Sequence, residues 1–200
     1  MSPEEVTGAG SRSGRRNDPE RRDRIIDACL DVIAESGVAG ASHRRIAQAA
    51  GVPLGSMTYH FAGIDELLHE AFTRFSTMIS ARFEERMAAA SDLESARAAV
   101  VAIIREDVFG DTREFVLSHE LYTLAARKPE YRALTTAWMQ RSRAALERHF
   151  DVDTARLLDA MIEGISIHRA LDDHARDAGE IAIAVERITT PQRPEDERGR

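Results

Sequence analysis

Residues 50–61 read AGVPLGSMTYHF, and Ser56, Thr58, Tyr59 and His60 gather two hydroxyls, a phenol and an imidazole within five consecutive positions. Such groups serve two chemistries. Partnered with a carboxylate or a base they move protons or act as nucleophiles; spread over one helix surface they hydrogen-bond phosphate oxygens and base edges. The chain offers no HExxH, no nucleophile–base motif and no phosphate-binding loop. GAGSRSG at 8–14 has glycines, but with the wrong spacing and no strand before it. An all-α enzyme using His60, His119 or His168 therefore has little support, and no catalytic residue, cofactor or metal is expected.

A second cluster lies just upstream. Ser42 can donate to a phosphate at a helix N-terminus, and Arg44 and Arg45 follow on the first turn. A bidentate Arg–guanine pair is the commonest specific contact in the major groove, so Arg45 is assigned to a base and Arg44 to the backbone. The plainer alternative is that both are solvated charges.

Both clusters need short helices to hold them. Asn17 or Asp18 can cap a first helix with Pro19 in its opening turn; Ile26, Cys29, Leu30 and Ile33 follow at i, i+3, i+4, i+7, and Gly37 and Gly40 end it. Ser42 is an N-cap for a second helix with Ile46, Ala47 and Ala50 inward, stopped by Gly51. A third is expected from Pro53, where a missing N–H costs little, and Gly63 closes it. Beyond residue 63 the helices lengthen. Leu68, Ala71, Phe72, Phe75, Ile79 and Phe83 form one stripe, and further helical patterns run over 92–108, 112–127, 129–149, 153–171 and 175–189. No stretch alternates with period two, so the class is all-α with about nine helices. The organisation expected is a flexible basic arm at 1–17, a small domain at 18–63, a larger one at 64–190 and a solvated tail at 191–200.

At 200 residues and 43% hydrophobic the chain can bury a substantial core. The longest strongly apolar run, AAVVAII at 98–104, is far below the roughly 20 residues a bilayer needs, and the N-terminal basic residues precede no apolar stretch. A cytoplasmic location is expected. The single Cys29 excludes an intramolecular disulfide framework and is expected as a small buried apolar residue. The net charge of −7 argues against nucleic acid only as a sum. Residues 1–62 hold eight Arg and eight acids, and Asp23, Asp27, Asp31 and Glu35 form an i, i+4 row apart from Arg12, Arg15, Arg16, Arg44 and Arg45.

Two short helices around a Gly-containing turn are the layout of a helix-turn-helix, whose second helix enters the major groove. Over residues 21–68, RRDRIIDACLDVIAESGVAGASHRRIAQAAGVPLGSMTYHFAGIDELL resembles the DNA-binding domain of the TetR family of transcriptional regulators. The joint pattern is Ile26 and Ala28, Glu35-x-Gly37, Ile46-Ala47 before Ala50-Gly51-Val52, then Gly55 with Tyr59 and Phe61. The resemblance implies that Ser42, Arg44 and Arg45 approach double-stranded DNA from the second helix, and Leu54, Gly55, Ser56, Thr58, Tyr59 and His60 from the third. It implies a core role for Ile46 and Phe61. Pro53 stands where a Ser commonly caps, Thr58 where a phosphate-binding Tyr is usual, and Ile64 where a Lys is common. Arg12, Arg15 and Arg16 of the arm can compensate in the minor groove.

The resemblance also implies a C-terminal helical domain that binds a small molecule and forms a homodimer through its last two long helices, here 153–171 and 175–189. Leu157 and Met161 lie beside the face made by Leu158, Ile162 and Ile165, more apolar surface than one inner face requires. A dimer sets two recognition helices about 34–36 Å apart for a palindromic operator. The segment LSHELYTLAARKPEYRALTTAWMQR resembles the C-terminal domain of one TetR subgroup. Candidate pocket residues are Phe75, Met78, Phe109, His119, Tyr122 and Trp138, although an aromatic or Met at helical spacing is more often plain core. The expectation is a repressor released by its effector through a swing of the fourth helix, with Asp65, Glu66 and Leu67 at the junction; a DNA-binding regulator with a closed core and no effector is the alternative.

Overall fold

The computed structural model describes residues 20–107, 111–172 and 178–190, and among them it is all helix, with nine α-helices and no strand. The cap at Asn17 or Asp18, the arm and the tail lie outside the described residues.

The first helix, α1 (Arg21–Gly40), buries Ile26, Cys29, Leu30 and Ile33 as their spacing requires, with Ile25, Ala28 and Val32 beside them. Burial pushes the Cys29 thiol up to about 12, which keeps it protonated and inert. Gly37 interrupts α1 at φ 67° and ψ 173°, a left-handed φ that suits glycine. Ser42 caps α2 (His43–Ala49) by accepting from the Arg45 N–H at 3.4 Å. Gly51, at φ 64°, turns the chain into α3 (Gly55–His60). This helix opens two residues later than Pro53 suggests: Pro53 stays in the turn, where its carbonyl accepts from the Ser56 N–H at 2.9 Å.

Gly63 precedes α4 (Ile64–Ala88), whose stripe of Leu68, Ala71, Phe72, Phe75, Ile79 and Phe83 is buried throughout. A capping box of Asp92 and Ser95 starts α5 (Leu93–Ala102). The expected α-helix over 92–108 then widens into a π-helical turn at Ile103–Asp107. A wide turn frees carbonyls, and Arg169 donates to Ile104 O and Arg105 O while Arg82 donates to Asp107 O. Asp111 caps α6 (Thr112–Arg127), and Pro129 opens α7 (Pro129–Leu146). Asp151 caps α8 (Val152–Leu171), and α9 (Ala178–Thr189) completes the described chain.

The buried side chains divide within α4. One cluster joins α1, α2 and α3 to Leu67, Phe72, Phe75 and Ile79 of α4, Leu117 and Leu121 of α6, and Tyr131 of α7. The other joins Phe83 and Met87 to α5, Leu146, Leu158 and Ile162, and Ile181 and Val185 of α9. Charge reinforces the first union. The acidic row of α1 is met by arginines of the larger part: Asp23 and Asp27 pair with Arg74, the latter at 2.8 Å, and Asp31 pairs with Arg113 at 2.7 Å. Arg22 pairs with Glu70. Each pair is substantially exposed and adds under about 1 kcal/mol, so their main effect is to neutralise the row.

Candidate functional site

Two surfaces collect the candidate residues. The first is the outer face of α2 and α3. A helix advances about 100° per residue, so Leu54, Gly55, Thr58 and Tyr59 face outward while Ser56 and Met57 face in. Tyr59 is 84% exposed and Leu54 55%, costly for large apolar side chains unless a partner covers them. The His60 ring, half-buried, packs edge-on against Tyr59 with centroids 4.9 Å apart. The Thr58 hydroxyl donates to Gly55 O at 3.3 Å. A Cβ at Gly55 would meet nothing within 4 Å, so the glycine leaves open surface there.

Ser56 departs from expectation. It is 8% exposed beside Met57, because its helical phase puts it against the core rather than on the groove side. Ser42 and Arg44 are exposed at the start of α2. Arg45, also exposed, reaches back and donates to Gly40 O at 3.1 Å, closing the end of α1. Its guanidinium therefore already has a partner, a bond to a neutral acceptor worth about 1 kcal/mol.

The second surface is a small cavity between α4, α6, α7 and α8, lined by Ile79, Phe83, Tyr122, Trp138, Met139, Ser142, Asp159, Ile162 and Glu163; it holds about 50 Å³, and about 450 Å³ only when the solvent-open space at its mouth is counted. The Tyr122 and Trp138 rings stack at 5.9 Å between centroids and 19° between planes, forming an aromatic wall. The phenol of Tyr122 has its pKa raised far above the ordinary value, first by burial and then by the nearby Glu163 carboxylate. Asp159 lies one turn before Glu163 on α8. Burial lifts its pKa from 3.8 to about 6, against the opposing pull of Arg143, whose Nε lies 3.3 Å from Oδ2.

Of the expected pocket residues, Tyr122 and Trp138 line this cavity. Phe75 supports it from behind, edge-on to Trp138 at 6.1 Å. His119 packs against Phe115 and Tyr122, with Nδ1 2.7 Å from Phe115 O. Met78 points to the other side of α4, into a separate groove with Arg22 and Arg74. Phe109 lies outside the described residues. Asp159 and Glu163 were the residues composition and periodicity did not single out; their signal was two acids spaced i, i+4 on the same helix face as Ile162.

The α6 wall also touches the head. Glu120, two residues before Tyr122, accepts from the Val38 N–H at 3.1 Å, and its Oε1 lies only 2.7 Å from where a Cβ on Gly37 would sit. Lys128 pairs with Asp65 at 2.9 Å near the start of α4.

Residues 25–71 match the family described as bacterial regulatory proteins, tetR family, and residues 91–191 match the tetracyclin repressor-like C-terminal domain. HTH-type transcriptional regulator BetI 2 of Chromohalobacter salexigens is 32% identical over 176 residues, covering 82% of this chain and 84% of the relative. The structure of SCO7518 from Streptomyces coelicolor A3(2) is 56% identical, spans 86% of this chain and 100% of that one, and superposes with a TM-score of 0.80. The multidrug binding protein EbrR, solved with ethidium, is 35% identical over 86% of this chain and 100% of its own, with a TM-score of 0.70. Among the described residues no helix is long and apolar enough to cross a membrane. With both halves matched in order and the helix-turn-helix in place, the chain belongs to the TetR family of DNA-binding transcriptional regulators and is not an enzyme.

Proposed function

We propose that this regulator is a homodimeric repressor that acts in the cytoplasm and leaves a palindromic operator when a small molecule occupies the cavity beside Tyr122 and Trp138. The observation that carries the reading is the double duty of α6. One turn of it supplies Tyr122 to the cavity and Glu120 to the Val38 N–H at the corner of α1. A ligand that shifts Tyr122 thus acts on the helix that positions the DNA-reading head. EbrR, with ethidium bound, supports a ligand-responsive C-terminal domain.

In this reading the head of residues 18–63 reads DNA and residues 64–190 bind effector and partner. Ser42 and Arg44 contact phosphates, Tyr59 and Thr58 follow from α3, and Arg45 reads a base after leaving Gly40 O. Ser56 supports α3 from within, and Leu54, Gly55 and His60 shape the approach. The partner copy docks on α8 and α9, where Leu157 is 58% and Ile183 50% exposed. Such side chains are stabilised by burial against a second copy, by about 25 cal/mol per Å² of apolar surface.

The test begins with genomic fragments recovered on the purified protein and sequenced to define the operator. Binding to that operator should fall steeply with salt and drop at least tenfold for Tyr59→Ala at equal salt. Equal binding by the variant and the parent would remove the regulator mechanism as drawn. An effector found by thermal shift should then lower operator occupancy in the parent; failure to do so would leave a regulator without a small-molecule switch.

A further inference from the structure

The cavity's charge count specifies its occupant more closely than its shape does. Asp159 and Glu163 stand one turn apart on α8 and both line the cavity. Arg143 reaches Asp159 at 3.3 Å, while among the described residues no cation pairs with Glu163. Two carboxylates against one guanidinium leave a net single negative charge beside an apolar wall. A half-buried, uncompensated carboxylate is unfavourable unless something neutralises it.

The wall opposite has matching chemistry. The Tyr122 and Trp138 faces carry the negative quadrupole that attracts cations, and indole is the strongest such partner among the side chains. Ile79, Phe83 and Ile162 supply apolar surface for the body of a ligand, and Tyr122 shares the cavity wall with Glu163. An anion meets repulsion here, and a neutral ring gains stacking alone.

Building on the ligand-responsive reading, we propose that the effector is a flat organic monocation that stacks on the Tyr122–Trp138 pair with its charge set against Glu163 and Asp159. Selectivity then resides on α8, and the aromatic pair supplies contact area rather than discrimination.

Three probes of the same three-ring outline and different charge test this on the full-length protein at about pH 8 without DNA: N-methylacridinium, neutral acridine and anthracene-9-carboxylate. N-methylacridinium should raise the melting temperature and bind about tenfold tighter or better than the other two, since one favourable charge contact of ordinary strength is worth a factor of ten. Glu163→Gln and Asp159→Asn, both isosteric, should each weaken the cation by about tenfold and leave acridine unchanged. Equal or tighter binding of acridine or the carboxylate overturns the proposal, as does no stabilisation by any probe, or cation binding untouched by both substitutions. Operator binding by ligand-free protein is measured in parallel. If it holds while the cation preference fails, the effector class is wrong and the regulator reading stands; if it is absent, the regulator reading itself fails.

Discussion

At the scale of single residues, Arg44 and Arg45 separate by what each is doing before DNA arrives. Arg44 is exposed, and its truncation to Ala should weaken operator binding uniformly across sequences and reduce the salt slope by about one. Arg45 is bonded to Gly40 O. Its truncation should instead relax preference at one base pair by about 1–3 kcal/mol, read by competition among operator variants. Asp159 carries a stability prediction of its own. Its folded pKa of about 6 lies above the ordinary 3.8, so folding favours the protonated acid. The penalty is absent below 3.8, grows as pH rises to about 6, and is complete above it. Asp159→Asn should therefore stabilise the protein by about 2 kcal/mol at pH 8, discounted for partial exposure and for Arg143, and by almost nothing at pH 4, measured by urea denaturation. The letters DAMIEG at 159–164 show the i, i+4 spacing of the two acids but nothing of their burial. An acid on a helix is usually solvated, and only the packing of α8 against α6 and α7 makes these two face a cavity. The outward hydroxyls are easier, because the exposure of Thr58 and Tyr59 follows from helical phase, and the same phase turns Ser56 inward.

At the scale of elements, two glycines make contrasting turns. Gly51 and Gly37 both have positive φ, yet a Cβ at Gly51 meets nothing within 4 Å while one at Gly37 strikes the Glu120 carboxylate. Gly51→Ala should lower stability by about 1–2 kcal/mol through the backbone alone. Gly37→Ala should exceed that, and Glu120→Ala should recover part of the loss, a double-mutant coupling readable in denaturant midpoints. Glu120→Ala by itself should leave ligand-free operator affinity nearly intact but shrink the effect of the inducer, since coupling of about 1–3 kcal/mol passes through such a contact. The helices themselves were readable from their 3.6-residue stripes and from the caps at Ser42 and Pro129. What periodicity does not carry is a change of pitch: Val100, Ile103 and Ile104 are apolar in α-helix and π-turn alike, so the widening at Ile103–Asp107 left no mark in the pattern.

At the scale of the whole molecule, Leu157→Asp with Ile183→Asp should shift a dimer to monomer in sedimentation and abolish tight binding to a two-half-site operator, leaving single half-site contacts weakened far less. The sequence changes character at residue 63, where short helices give way to long ones, but the apolar packing does not divide there. Ile25, Ile33 and Met57 of the head share one interior with Phe72, Leu117 and Tyr131. Side chains from such distant stretches meet only in three dimensions, and so no local pattern announces their union. That shared interior has a thermal and kinetic corollary. The head should lack a separate melting event, and its slowest-exchanging amides, expected in the middle of α1, should open only together with the parts of α4, α6 and α7 that share its core. A molecule lodged against Tyr122 should therefore slow deuterium uptake at Ile33, far from where it sits, and do so in the absence of any DNA.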